Sequence, residues 1–321
     1  MSNAANPGRS PAASEHWSAY WAAGPLTSLP SDFAANYDGE IAEFWHRQFA
    51  DVPAGGSVLD VCTGNGAVAL LAAAWFAGHD RAVEVTAVDA ARIDPASVAA
   101  AHPEVADAVQ RVRFQGQTPV ESLDLPEASF DLVTSQYGIE YCDPEPAARR
   151  VAALLKPGGR LVMLCHEASS DILRTMEAEA ADYRRLRELG FPAGLRRFLA
   201  GTLSFARFRK LMRNVGEALA GEYRIRSSPL YAFVLRMLEG AVRMDEATLR
   251  AHRLKLVDFS RQLELGEARL ADMLRVNRVL HDDPDWHQAF QTAGLRLLDL
   301  GEILYRGKHR SGQTCRFEKP A

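Results

Sequence analysis

The residues with the clearest chemical potential lie between positions 58 and 70, where the sequence reads VLDVCTGNGAVAL. A short apolar run ends at Asp60, and Gly64 and Gly66 follow before an alanine-rich stretch begins. Glycines let the backbone approach a ligand closely, and a helix that starts here offers unpaired N–H groups to that ligand. The pattern therefore predicts a strand, a ligand-binding turn and a helix.

A second acidic residue, Asp89, closes the next apolar run, VEVTAVD. A carboxylate in this place can accept hydrogen bonds from both hydroxyls of a ribose. Residues 64–69, GNGAVA, also fit the dinucleotide fingerprint G-x-G-x-x-G/A, which alone is a weak sign of nucleotide binding. Asp60 favours a ligand with positive groups, because its charge would repel a pyrophosphate. A nicotinamide oxidoreductase is thus the less favoured alternative, and a binding test with NAD would separate the two.

Two more motifs complete a recognisable series, SFDLVTSQYGIEY at 129–141 and LLKPGGRLVM at 154–163. With LDVCTGNGA and AVDA, their order and spacing resemble the class I S-adenosylmethionine (SAM)-dependent methyltransferases. The resemblance covers residues 57–167 closely and 284–318 less closely. It is slight for 15–50 and absent for 168–283. It implies SAM as the cofactor and methyl transfer as the activity.

The resemblance also implies which residues hold the cofactor. Asp60 would face the charged amino-acid end of SAM, and Asp89 would bind the ribose. Gln117 stands where many members have an acid that reaches the adenine amino group, and its carbonyl can accept the same hydrogen bond. Cys62 stands where the family often has glycine. The expected cofactor-binding residues are Asp60, Cys62, Thr63, Gly64, Asn65, Gly66, Asp89, Ala90, Gln117, Thr118, Gln136 and Tyr37.

Methyl transfer needs mainly a nucleophile held in line with the methyl group and shielded from water. A base is required only when the nucleophile carries a proton at neutral pH. Ligands of open α/β sheets lie beyond the carboxyl ends of the strands. Residues that follow the fourth and fifth strands are therefore the catalytic candidates, namely His166, Glu140 and Tyr137. Histidine suits a base best by its intrinsic pKa. The alternatives are a histidine bonded to backbone, a solvated glutamate and a packing tyrosine.

Aromatic residues at helical spacing mark the N-terminal segment. Tyr37 and Trp45 can close over the methionine end of SAM, because an aromatic face attracts a sulfonium. The alternative is that they pack against the sheet. The Asn/Asp-Pro-Pro-Tyr signature of methyltransferases that act on bases or on glutamine is missing, and residues 135–138, SQYG, stand in its place. Such acceptors are therefore disfavoured.

The predicted fold class is α/β. Apolar strands are expected at 57–62, 83–89, 111–115, 130–136 and 160–166, with helices at 66–76, 95–108 and 144–155 between them. Near-continuous apolar strands separated by helices indicate a parallel sheet covered on both faces. Together with the resemblance, this predicts a Rossmann-like seven-stranded mostly parallel sheet with an antiparallel last strand and a helical insert after strand five.

Four segments are expected along the chain. Residues 1–14 form a disordered tail, and 15–50 form N-terminal helices that cover the cofactor site. Residues 51–167 and 284–321 form the SAM-binding core. Residues 168–283 form a helical insert, interpreted as a substrate lid or as a dimer interface.

Composition limits the possible partners and compartments. The chain has 321 residues and a formal net charge of -4, which disfavours nucleic acid as the main partner. Its four cysteines form no Cys-x-x-Cys pair, so neither a disulfide framework nor a zinc or other metal site is expected. Reduced thiols and the lack of a long apolar run suggest a cytoplasmic protein without a membrane span.

Three functional classes remain open. The favoured one is transfer of a methyl group to a small-molecule acceptor by in-line displacement. The second is an RNA or protein methyltransferase. An arginine-rich stretch in the insert could recognise RNA or an anionic acceptor, or could be a solvated helix face. The third is a non-catalytic SAM-binding module. A possible homodimer is compatible with each of them.

Overall fold

The structure is a computed structural model that describes residues 15–29, 33, 35–167 and 171–321. The tail predicted over residues 1–14 lies outside the described residues. The chain divides into two compact units. One comprises Met1–Leu173 and Arg275–Ala321, and the other comprises Arg174–Leu274.

Seven strands of the described residues form one sheet, in the order β3-β2-β1-β4-β5-β7-β6. The strands are β1 Ser57–Val61, β2 Glu84–Val88, β3 Val112–Gln115, β4 Phe130–Gln136, β5 Leu155–Cys165, β6 Arg296–Tyr305 and β7 His309–Glu318. The first five run parallel, and β7 lies antiparallel to both β5 and β6. The predicted fold class, a mostly parallel Rossmann-like sheet with an antiparallel last strand, is confirmed.

Helices occupy most of the remaining described residues. They are α1 Glu15–Ala22, α2 Gly39–Ala50, α3 Ala67–Gly78, α4 Pro95–Ala101, α5 Ala106–Val109, α6 Pro144–Leu154, α7 Asp171–Glu188, α8 Phe191–Leu199, α9 Phe205–Ile225, α10 Pro229–Val242, α11 Glu246–Ala251, α12 Arg253–Asp282 and α13 Gln288–Thr292. Among these helices of the described ranges, none combines the length and apolar character needed to cross a bilayer.

The chain order of the strands reverses at β1, which pairs with β2 on one side and β4 on the other. In this register Asp60 lies between Ala87 and Thr134, near the carboxyl ends of all three strands. A crevice opens where the connections of neighbouring strands leave in opposite directions, and open α/β sheets bind ligands there. The fold thus directs attention to the residues that follow β1, β2 and β4.

Most predicted element boundaries lie within two residues of the observed ones, and two differ by more. The helix expected over 95–108 is broken, since α4 ends at Ala101 and a 3-10 turn, Pro103–Val105, precedes α5. Proline disfavours the helical conformation of the residue before it, and His102 is indeed non-helical. Strand five begins at Leu155 instead of residue 160, because Leu155 pairs with Phe130 before the register shifts to Arg160.

The packing between α2 and α3 brings N-terminal aromatics onto the sheet. Six of the twelve residues of α3 are alanine, which favours helix and allows other elements to approach closely. Trp45 and Phe49 of α2 are fully buried, and Phe49 lies 5.8 Å from the ring of Phe76 on α3. Burial of each ring stabilises the fold by about 2 kcal/mol.

The second unit is helical, as expected for the insert. Its core includes the rings of Phe198 and Phe208, stacked with centroids 4.3 Å apart. Some arginines of the basic stretch pair with glutamates of the same unit, among them Arg185 with Glu222 and Arg196 with Glu264. These pairs agree with a solvated helix face. The role of this unit as a lid or dimer interface stays a prediction.

Candidate functional site

The turn after β1 is fixed by backbone hydrogen bonds and by left-handed residues. The N–H of Thr63 donates to the carbonyl of Val88 on β2 at 3.0 Å, and that of Gly66 donates to Thr63 at 2.9 Å. Cys62, Gly64 and Gly66 have φ angles of 55°, 57° and 92°. Glycine adopts this region without strain, whereas a cysteine there is uncommon. The predicted strand, turn and helix are all present.

Asp60 is buried below this turn. One carboxylate oxygen accepts a hydrogen bond from the Thr134 hydroxyl at 2.7 Å, and the other accepts from the Thr63 hydroxyl. Burial raises the pKa of Asp60 to about 6, against the opposing effect of these two hydrogen bonds. The negative charge of Asp89 adds a smaller upward effect. Asp60 therefore links β1, its turn and β4 at the place where the strand order reverses.

Because the folded-state pKa of Asp60 lies above its value of about 3.9 in an unfolded chain, the folded protein holds this proton more tightly. The resulting stabilisation is present below about pH 4 and is lost as the pH rises through about 6. We expect its loss to lower the free energy of unfolding by about 3 kcal/mol. Urea denaturation of the wild type and of Asp60→Asn between pH 4 and 7.5 tests this. As the pH rises, the free energy of unfolding of the wild type should fall relative to that of Asp60→Asn. The same pH dependence in both proteins would contradict this expectation.

Asp89, which directly follows β2, organises the adjacent turns. Its Oδ2 accepts a hydrogen bond from the N–H of Gly64 at 2.7 Å, and its Oδ1 accepts from the N–H of Ala91 at 2.7 Å. Its backbone carbonyl accepts from the N–H of Thr118 at 2.8 Å. The side chain of Asp89 thus connects the glycine turn to the segment that follows β2, and its backbone carbonyl connects the segment that follows β3.

A cavity of about 550 Å³ opens beside Asp89. Its lining residues are Trp17, Trp21, Cys62, Asp89, Ala90, Ala91, Gln117, Pro119, Val120, Glu121, Tyr137, Gly138, Tyr141, Cys142, Asp143 and Pro146. The predicted site residues in this lining are Cys62, Asp89, Ala90, Gln117 and Tyr137. Those outside it are Asp60, Thr63, Gly64, Asn65, Gly66, Thr118, Gln136, Tyr37, Glu140 and His166.

Two tryptophans of α1 line this cavity, although the sequence pointed to other aromatics. Trp17 and Trp21 stack with centroids 6.5 Å apart, and Trp17 meets the ring of Tyr141 edge-on at 5.5 Å. The Asn65 side chain donates to the carbonyl of Trp21 at 2.9 Å, which fixes α1 to the glycine turn. A Cβ on Gly64 would lie 2.3 Å from the Trp21 ring. From the sequence, the i, i+4 spacing of the two tryptophans predicts that they share one helix face, but it does not predict that this face covers a cavity.

Tyr37 and Trp45 lie in the core and do not line the cavity. The Tyr37 hydroxyl lies 3.1 Å from that of Ser28, and burial raises the pKa of Tyr37 to about 12. The indole N–H of Trp45 donates to Gln136 Oε1 at 2.6 Å. The other amide atom of this glutamine, Nε2, is buried without a hydrogen-bond partner in the described part of the chain. Both aromatics are buried in the core, as the alternative predicted, and contact of Tyr37 with the cofactor stays a prediction.

The three predicted catalytic residues lie together. Oε1 of Glu140 accepts hydrogen bonds from His166 Nδ1 at 2.7 Å and from its backbone N–H at 2.9 Å. The Glu140 side chain is fully buried, which excludes a solvated carboxylate. The His166 ring lies 4.9 Å from that of Tyr137 and 5.8 Å from that of Tyr141, both of which line the cavity.

This dyad has a defined protonation pattern. A carboxylate can only accept, so Nδ1 of His166 must carry the proton, and Nε2 is left with a lone pair when the ring is neutral. The hydroxyl of Tyr137 donates its proton to the carbonyl of Ser311 at 2.6 Å, so this proton is already used in a hydrogen bond within the protein. Of the three candidates, His166 therefore keeps a ring nitrogen that can accept a proton, and Glu140 holds its ring and its backbone N–H by hydrogen bonds.

Comparison with known proteins gives the family. A sequence profile described as "Methyltransferase domain" matches residues 33–202, more than half of the chain. An uncharacterized methyltransferase, YcgJ of Bacillus subtilis (strain 168), is 42% identical over 64 residues, which are 20% of this chain and 25% of that protein. The chain thus matches about a quarter of the length of this curated relative.

Solved structures of methyltransferases are similar at low identity. YcgJ from Bacillus subtilis is 18% identical, with 87% of this chain and 98% of that chain covered and a TM-score of 0.36. The putative methyltransferase bound to the Haloferax volcanii activator Trm112 is 11% identical, with coverages of 95% and 98% and a TM-score of 0.41. Geranyl diphosphate C-methyltransferase from Streptomyces coelicolor A3(2) is 18% identical, with coverages of 50% and 65% and a TM-score of 0.35.

The profile match agrees with the motifs and with the sheet on which they lie. It includes β1 to β5, the glycine turn, both acidic strand ends and the Glu140–His166 pair. The chain therefore belongs to the methyltransferase family that this profile describes.

Proposed function

We propose that the cavity beside Asp89 receives SAM and a small-molecule acceptor, and that His166 removes a proton from that acceptor. The observation that carries this proposal is the cavity of about 550 Å³ that is lined by Asp89 and by Tyr137 and Tyr141, the two tyrosines whose rings contact His166. Small-molecule sites are concave, mostly apolar and of this size.

The donor and acceptor groups at this site fit SAM. Asp89, Glu121 and Asp143 are the acidic residues of the lining, and no lysine or arginine is among the described residues that line it. Such a site suits a ligand with sulfonium and ammonium groups and does not suit a pyrophosphate. The buried Nε2 of Gln136 is a donor that a ligand carboxylate would satisfy. On that chemistry we assign to this ligand the predicted cofactor residues that line the cavity, Cys62, Asp89, Ala90 and Gln117, together with Gln136.

When bound, SAM supplies a methyl group that is already activated by its sulfonium. The chain must hold the acceptor in line and exclude water. Trp17, Tyr137 and Tyr141 offer flat apolar faces for a ring or hydrocarbon body. These ring faces suit an acceptor that has an aromatic or apolar part.

The dyad supports an acceptor that carries a proton on its nucleophile, such as a phenol or an alcohol. Nε2 of His166 takes that proton, and the buried Glu140 carboxylate stabilises the imidazolium that forms. The rings of Tyr137 and Tyr141 line the cavity and both contact the His166 ring, so an acceptor bound there would approach His166 past these two side chains. The net charge of -4 and the acidic lining count against RNA as the acceptor. A cytoplasmic location and a homodimer stay predictions.

Two measurements test the proposal. Calorimetric titration with SAM, S-adenosylhomocysteine and NAD should give micromolar binding of the two sulfur ligands and none of NAD. Release of S-adenosylhomocysteine from SAM is then followed with three acceptor sets: pooled small phenols, alcohols and amines; unmodified RNA; and protein extract. Turnover with the small molecules alone is expected. Turnover with RNA or protein alone would overturn the acceptor class, and binding without turnover by any set would favour a non-catalytic module.

A further inference from the structure

Two cysteines meet at the cavity wall. Sγ of Cys62 lies 3.6 Å from Sγ of Cys142, and both residues line the cavity. Both are partly exposed, whereas Cys165 and Cys315 are buried. Cys62 belongs to the turn after β1, and Cys142 follows the 3-10 turn Ile139–Tyr141 after β4. The fold therefore brings together two thiols that lie 80 residues apart in the sequence.

The positions of these thiols suit a covalent bond. A disulfide places its sulfur atoms about 2.05 Å apart, so closure requires an approach of roughly 1.5 Å. Both residues lie in connecting segments outside the strands, where such a displacement is easier than within the sheet. The two segments are already packed tightly, because a Cβ on Gly138 would lie 2.3 Å from Cys62 Cβ.

We propose that Cys62 and Cys142 form a reversible disulfide that impairs cofactor binding, so that a low-molecular-weight disulfide such as oxidised glutathione switches the site off. In the first step one cysteine sulfur attacks the oxidant, whose S–S bond breaks to release one thiol. In the second step the other cysteine sulfur displaces the remaining half as a second thiol. Two cysteine thiols and one oxidant disulfide thus become one protein disulfide and two small thiols, and the protons pass to those thiols.

The surroundings indicate which sulfur reacts first. Contact with the Cys142 thiol holds the pKa of Cys62 well above its usual value, which disfavours the thiolate at this position. The thiolate is the attacking species in the exchange. Cys142 is therefore the first nucleophile, and Cys62 resolves the mixed disulfide from 3.6 Å away.

The bond changes the site through the turn that it draws together. Cys62 stands two residues before Gly64, whose N–H is held by Asp89. Drawing Cys62 toward Cys142 strains this hydrogen bond and narrows the cavity that both sulfurs line. The predicted effect on affinity rests on the proposed cofactor position, whereas the disulfide itself follows from the sulfur contact alone.

Oxidation of the full chain by glutathione disulfide tests the proposal. Thiol titration after denaturation should fall from four thiols to two, and peptide mapping should give one cross-linked pair that contains Cys62 and Cys142. Affinity for S-adenosylhomocysteine, measured by calorimetry, should drop at least tenfold, and dithiothreitol should restore it. Prior addition of S-adenosylhomocysteine should slow the loss of thiols.

Two variants serve as controls. Cys142→Ser should lack the cross-link, and its affinity should be the same before and after glutathione treatment. Cys62→Ser should stop at a glutathione adduct on Cys142. A cross-link through Cys165 or Cys315, or no cross-link at all, would overturn the disulfide. A Cys62–Cys142 cross-link without loss of affinity would overturn its effect on the site, whereas failure of the reduced protein to bind the ligand would count against the proposed cofactor position.

Discussion

Replacement of His166 by alanine is expected to lower kcat by about 10²–10⁴-fold, the usual contribution of a general base. The dyad is the reason, because Glu140 fixes the proton on His166 Nδ1 and leaves Nε2 to accept one. The measurement is the rate of S-adenosylhomocysteine formation with an acceptor identified in the screen. KM for both substrates should stay within about threefold, since a base acts mainly in the transition state.

A matched variant separates the base from its positioning residue. Glu140→Gln keeps an oxygen that can accept from His166 Nδ1, but it removes the negative charge that stabilises the imidazolium. We expect kcat to fall by about tenfold with little change in KM, a smaller loss than in His166→Ala. Equal activity of His166→Ala and wild type with a phenol or alcohol acceptor would remove His166 from the reaction. A large rise in KM alone would indicate a packing role.

The parts of the fold that the sequence predicts best are those in which local and long-range signals agree. The run that ends at Asp60 is apolar, a glycine turn follows, and an alanine-rich helix begins next, so each local preference supports the same βαβ unit. Asp89 was predicted by the same logic, as an acid at the end of a buried strand. In the structure, it holds the glycine turn through Gly64.

Other features depend on contacts between distant segments. The start of β5 at Leu155 depends on pairing with Phe130 across a register shift, which no local pattern encodes. Trp17 and Trp21 line the cavity because Asn65 fixes α1 to the turn. The contact of Cys62 with Cys142 joins the segments that follow β1 and β4, two strands that are neighbours only in the folded sheet. Sequence spacing predicts which residues share a helix face or lie at a strand end, but it does not predict which of these faces and ends come into contact.

Loss of Asp89 is the second large effect that we expect. In Asp89→Ala, the ribose loses a charged acceptor for its two hydroxyls, at about 1.5 kcal/mol for each hydrogen bond. A total of about 3 kcal/mol corresponds to roughly 100-fold weaker binding of S-adenosylhomocysteine. The same change leaves the N–H groups of Gly64 and Ala91 without their carboxylate, which would loosen the turn and weaken binding further.

Calorimetry and denaturation of three variants separate these contributions. Asp89→Asn keeps one oxygen acceptor but loses the charge, so we expect about tenfold weaker binding, between wild type and Asp89→Ala. Asp94→Ala removes an exposed acid that caps α4 through Ser97 and lies outside the cavity lining. It should lower the free energy of unfolding slightly, because α4 loses its N-cap, and leave affinity unchanged. If Asp89→Ala folded with wild-type stability and bound the ligand as tightly as wild type, the cofactor would have to lie elsewhere. If Asp89→Asn lost stability and affinity to the same extent, the carboxylate would act only by holding the glycine turn, without contacting the ligand.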